Sequence, residues 1–132
     1  MSSGDNVLTT YLHFRDDGAA ETIPVTDSFW SELSSGGLAH LNQGRLMSAF
    51  TFSKPWPTWE RHPAGEELVM LLSGAATLVL EEPGQEHEVY LGEPGDFALV
   101  PRNVWHTART QEKTTMLFLT PGEGTEHRKV DV

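Results

Sequence analysis

Four side chains able to hold a divalent cation fall in two short stretches of the 132-residue chain: Glu60, His62 and Glu67, then His106. In an extended strand, residues two apart point to the same face. Within Thr58-Trp59-Glu60-Arg61-His62, Glu60 and His62 therefore project together, and Trp59 and Arg61 face the other way. Pro63-Ala64-Gly65 turns the chain, and Glu67 opens the next strand, from which it can swing back toward His62. His106 follows 44 residues after His62, beyond Pro101-Arg102-Asn103. Two imidazoles with one or two carboxylates suit iron, manganese, zinc or nickel. A single His in a strand is more often a hydrogen-bonded structural residue, and Glu66 and Glu67 also read as surface charges. Spacing alone leaves both readings open.

Positioning such residues requires short strands, and the chain is punctuated for them. Apolar or alternating runs at Val7–Phe14, 46–53, 58–62, 67–72, 76–81, 86–90, 97–100, 105–109 and 115–120 are predicted strands. Arg15-Asp16-Asp17-Gly18, Ser73-Gly74, Pro83-Gly84 and Glu93-Pro94-Gly95 supply turns. Regularly spaced short strands indicate a β-sandwich or barrel. One short helix is predicted, capped by Asp27, closed by Gly36, and carrying Phe29, Trp30 and Leu33 on one stripe. Trp30 is expected to pack it on the barrel.

Composition narrows the function. Lys+Arg number 9 against 19 Asp+Glu, a formal charge of −10. Such a surface repels nucleic acid and anionic membranes. With Cys absent, a metal site is restricted to imidazole and carboxylate ligands. No signal peptide or membrane-spanning run is visible, and a cytoplasmic location is expected. Glu81, Glu82, Glu86, Glu88 and Glu93 read as a solvated acidic hairpin. Phe50, Phe52, Phe97, Leu99 and Phe118 are candidates for the barrel wall, and Met47, Met70 and Met116 for core filling. Trp59 and Trp105 are expected to pack away from the site. His13, His40 and His87 read as structural or surface residues. His127 lies in a polar C-terminal run expected to fray. Serine-hydrolase, P-loop, dinucleotide-binding and zincin motifs are absent from the sequence.

The stretch from Glu60 to Gly74 resembles the first motif of the cupin superfamily, with His62, Glu67 and Gly74 in register. Gly95, Pro101 and His106 fall in register with the second motif. Longer strings, including Trp59-Glu60-x-His62-Pro63-x-Gly65-x-Glu67, Pro101-Arg102-x-x-Trp105-His106 and Thr120-Pro121-Gly122-Glu123-Gly124-Thr125-Glu126-His127-Arg128, resemble small bacterial single-domain cupins without an assigned reaction. The resemblance implies an all-β jelly-roll barrel over 45–121, an N-terminal extension over 1–44 with one strand and the short helix, and a tail over 122–132. It also implies a divalent metal ion (Mn, Fe, Zn or Ni) on Glu60, His62, Glu67 and His106. Three positions depart from the motifs. Glu60 stands where the first His belongs, so it serves either as fourth ligand or as a catalytic general base. Asn103 replaces a Gly, a mild change because Asn tolerates left-handed backbone. Thr110 replaces an Asn.

Three functions follow as expectations: a mononuclear metal-dependent enzyme of dioxygenase or isomerase type acting on a small organic molecule, a non-catalytic small-molecule binding or sensing module with structural or absent metal, or a structural dimer with a vestigial pocket. A homodimer is expected, since strands such as Leu68–Leu72 are apolar on both faces. The first strand is a candidate for exchange onto a neighbouring subunit.

Overall fold

The structure, a computed structural model, describes residues 3–130. Eleven strands form among these residues, nine of them over the predicted runs: β1 Thr10–Phe14, β2 Ala20–Pro24, β3 Arg45–Phe52, β4 Thr58–Arg61, β5 Glu67–Ser73, β6 Ala76–Glu82, β7 Gln85–Leu91, β8 Phe97–Val100, β9 Trp105–Arg109, β10 Thr114–Thr120 and β11 Glu126–Lys129. One helix, α1, spans Phe29–Ser34, and a 3-10 turn spans Ala39–Asn42. The strands form two antiparallel sheets, ordered β2-β1-β3-β10-β5-β8 and β11-β4-β9-β6-β7. This is the expected jelly-roll barrel.

The main core lies between the sheets. Inward residues such as Val69 and Leu71 of β5, Leu78 and Leu80 of β6, Ala108 of β9 and Met116 and Phe118 of β10 are buried there. Phe50, Phe52 and Trp56 pack against them, with Phe50 stacked on Phe118 at 4.9 Å between ring centroids. A second cluster, Tyr11, Phe29, Leu41 and Leu46, seats the N-terminal segment.

Several expectations change. Residues 7–9 form a turn, and β1 starts at Thr10. It pairs with β2 and β3 of its own chain, so no exchange is needed to complete it. The strand β2 went unpredicted because Ala-Glu-Thr-Ile-Pro carries almost no apolar alternation. Ser28, rather than Asp27, occupies the helix cap, and its hydroxyl donates to Glu32 instead of accepting from the backbone. Gly36 closes the helix with a positive φ of 87°. Phe97 and Leu99 point outward from β8, 58% and 56% exposed, so they do not line the barrel. The tail does not fray over its described length, because β11 pairs with β4 along four residues. His13 is structural: buried, it meets Glu21 at 2.8 Å and donates to the Gln43 carbonyl.

Two motif positions acquire physical reasons. Gly74 has φ 82°, and a Cβ there would lie 2.4 Å from the Lys113 carbonyl oxygen. Asn103, at φ 64°, is the one non-glycine residue of positive φ among the described residues. Thr110 is buried, and its hydroxyl meets the Ala75 carbonyl at 2.7 Å and Thr114 Oγ1 at 2.9 Å, tying the turn after β5 to the turn after β9.

Candidate metal centre

The four predicted residues converge from three strand ends and two sheets. Glu60 lies on β4 and pairs directly with His106 of β9. His62 follows the end of β4. Glu67 starts β5 in the opposite sheet, so the turn at Pro63–Gly65 carries it across the barrel. Trp59 and Trp105 point away from the site, as alternation requires. On that outer face they stack with arginines, Arg61 over Trp105 at 4.8 Å and Arg128 over Trp105 at 4.8 Å and Trp59 at 5.3 Å.

His62, His106 and Glu67 are almost completely buried, and the Glu60 side chain is 29% exposed. A ring nitrogen of His62, one of His106 and a carboxylate oxygen of Glu60 lie within 4.8 Å of one another. Glu67 sits against both rings: its Oε1 is 2.9 Å from His106 Nε2, and its Oε2 is 3.3 Å from His62 Nε2. Thr120 of β10 donates to Glu67 Oε2 at 2.5 Å.

The outer ring nitrogens are already committed. His106 Nδ1 donates to the Val104 carbonyl at 3.1 Å. His62 Nδ1 lies 2.9 Å from Thr125 Oγ1. The Thr125 hydroxyl gives its own hydrogen to the Gly122 carbonyl at 2.9 Å, so His62 must be the donor. In the neutral rings both Nε2 atoms therefore carry lone pairs, and both face carboxylate oxygens. His62 Nε2, His106 Nε2 and Glu67 Oε1 are all buried without a well-formed hydrogen bond. Opposed acceptors at these distances need positive charge between them, either protons or a cation. The donor set and its outward hydrogen bonds fit a divalent ion.

The same opposition of charges shifts both partners. Burial pushes the Glu67 carboxyl up, but the His106 and His62 rings at its oxygens outweigh this and hold its pKa at about 2. Burial pulls His106 down, yet Glu67 more than compensates and its pKa is raised.

Sequence reasoning missed Thr120, Thr125, the Val104 carbonyl and His127. Strand β11 brings His127 opposite Glu60, with Nε2 3.4 Å from Glu60 Oε1. This carboxylate raises the His127 pKa. The one available signal was the alternation Glu126-His127-Arg128, a polar edge-strand pattern. Arg102 is exposed on the turn before β9. The acidic hairpin is met by arginines from other strands: Arg128 reaches Glu81 at 2.6 Å, and Arg109 lies 4.0 Å from both Glu86 and Glu88.

A two-sheet antiparallel barrel with a cluster of imidazoles and carboxylates between its strand ends defines a class of barrel proteins. The cupin domain family matches residues 53–122, more than half of the chain, and the chain belongs to that family. Nothing among curated proteins matches it. The chain is also similar to several solved structures. Oxalate oxidase in complex with the substrate analogue glycolate is 15% identical, with a TM-score of 0.53 over 62% of this chain and 45% of that one. A structure from work on DMSP lyases is 22% identical, with a TM-score of 0.50 over 67% and 45%. A cupin-2 domain containing protein from Shewanella frigidimarina is 14% identical, with a TM-score of 0.48 over 58% and 70%. This chain spans under half the length of the first two. Among the described residues, no helix is long and apolar enough to cross a membrane.

Proposed function

We propose that this chain is a mononuclear metal-dependent cupin enzyme acting on a small organic molecule. In this reading His62, His106 and Glu67 hold a divalent ion, and Glu60 is its fourth ligand or a general base. The observation that carries it is the buried set of opposed lone pairs, two imidazole Nε2 atoms facing Glu67, with both Nδ1 atoms held by outward acceptors. A bound ion of Mn, Fe, Zn or Ni supplies a Lewis acid or an oxygen-activating centre, which makes isomerisation and dioxygenation the candidate reactions. The protein's own part is positional. Glu67, held by Thr120, fixes both rings, and the buried surroundings keep water from the imidazoles. Glu60 is the one partly exposed member, placed to exchange a proton with a molecule arriving from solvent. The shared fold of oxalate oxidase, solved with glycolate, supports a small organic substrate.

The test is elemental analysis of protein purified without chelator, followed by titration with Mn²⁺, Fe²⁺, Ni²⁺ and Zn²⁺. About one ion per chain is expected, lost in His106→Ala. A wild-type protein that takes up none of the four ions refutes the reading and leaves the metal-free binding module.

The chain is also proposed to be a homodimer. On the outer face of the first sheet, Leu68, Met70, Leu117 and Leu119 are half-buried and Phe97 and Leu99 exposed. Cross-strand pairing makes them one patch: Leu68 opposes Leu99 and Leu119, and Met70 opposes Phe97 and Leu117. A patch of this kind marks an association site. Light scattering should give twice the 14.6 kDa chain mass, falling to one chain in Leu99→Glu. A monomeric wild type would sink the proposal.

A further inference from the structure

We infer that His127 is a positioning residue of the metal centre, holding the outer oxygen of Glu60 so that the inner oxygen is presented to the site. The inference rests on the metal-site reading above and adds to it a residue from outside the barrel motifs.

The two Glu60 oxygens have different neighbours. Oε2 lies 3.7 Å from His62 Nε2, inside the cluster. Oε1 lies 3.4 Å from His127 Nε2. A carboxylate that ligates through one oxygen is free to rotate unless its second oxygen is held, and His127 provides that hold as the imidazolium or as the neutral ring with its hydrogen on Nε2. Glu60 needs this more than its neighbours do: Glu67 is buried with Thr120 on it, whereas Glu60 is partly open to water.

His127 is fixed by its strand, not by chance rotation of an exposed side chain. In β11 it stands in register with Glu60. Its chain neighbours point to the opposite face and are anchored there. Glu126 accepts from Arg61 at 2.8 Å, and Arg128 bridges to Glu81 and covers Trp59 and Trp105. Val130 N–H donates to the Pro57 carbonyl at 3.0 Å, closing the end of the pairing. The same segment supplies Thr125 to His62 Nδ1. Two of the four cluster residues thus take an outer partner from one short run, Thr125-Glu126-His127.

The alternative is a plain surface ion pair, since the His127 side chain is 57% exposed. The two are separated by titrating wild type, His127→Ala and His127→Gln with Co²⁺ and with Mn²⁺, reading affinity and the visible d–d spectrum of the cobalt forms. Denaturation midpoints of the chelator-treated proteins serve as control. Loss of an outer-shell partner typically costs ~10–100-fold in metal affinity. That loss is expected in His127→Ala, with an altered cobalt spectrum and an unchanged metal-free midpoint. His127→Gln, which keeps an N–H donor, should recover most of the affinity. Equal affinity and spectra in wild type and His127→Ala would overturn the inference while leaving the metal reading intact. So would an equal loss in both variants tracking a lowered metal-free midpoint. A wild type that binds neither ion overturns both.

Discussion

A proton and a divalent ion should compete for Nε2 of His106. His62 and His106 each have Nδ1 occupied by an acceptor, so Nε2 is the nitrogen left to meet an ion, and each Nε2 faces Glu67. The His106 pKa is raised above its ordinary 6.5 by Glu67, so below pH 6.5 that ring is mostly charged in the metal-free protein. The 2.9 Å contact sets one proton to be expelled from His106 when an ion takes its place. Each released proton makes the apparent affinity rise about tenfold per pH unit, or ~1.4 kcal/mol. Between pH 5.5 and 6.5 the Mn²⁺ dissociation constant should therefore fall ~10-fold. Calorimetric titration in two buffers of different ionisation enthalpy measures affinity and proton count together. An affinity that stays flat across this range, with no proton released, would refute the assignment of the Nε2 atoms as the ion's ligands.

Acid should destabilise the metal-free protein through Glu67. Its folded pKa, about 2, lies below the ordinary 4.5, so its contribution is complete above pH 4.5 and lost as pH falls toward 2. The shift corresponds to ~3 kcal/mol, and denaturant midpoints of chelator-treated protein should drop between pH 5 and pH 3, with a much smaller drop in Glu67→Gln. Gly74→Ala should lower stability by about 2 kcal/mol or more, since it adds left-handed backbone strain to a Cβ placed 2.4 Å from a backbone carbonyl oxygen. Urea denaturation checks this, and a midpoint within error of wild type would contradict it.

Much of this protein was legible from local pattern. Period-two alternation placed Glu60 and His62 on one face and sent Trp59 and Trp105 to the other, because side-chain direction in a strand depends only on parity. Gly and Pro marked the turns through backbone conformations that are properties of single residues. The tolerance of left-handed backbone by Asn103 could be stated in advance for the same reason. The run Leu68–Leu72 showed apolar character on both faces, but which face met the core followed only from sheet stacking. Phe97 and Leu99 were placed inward on hydrophobicity alone, and β8, at the sheet edge, turns them out.

Composition and spacing fix the residue types available for a site: imidazole and carboxylate, with no thiolate, on short strands separated by tight turns. Tertiary structure alone decided their surroundings. Thr120 meets Glu67 across 53 residues of chain and Thr125 meets His62 across 63. His127 reaches Glu60 only because β11 pairs with β4. Such contacts depend on strand order and register between distant segments, and a polar stretch such as Thr125–Lys129 carries no apolar periodicity of its own. Its order comes from backbone pairing with β4 and from Arg128 lying across two tryptophans, interactions that exist only once the barrel has closed.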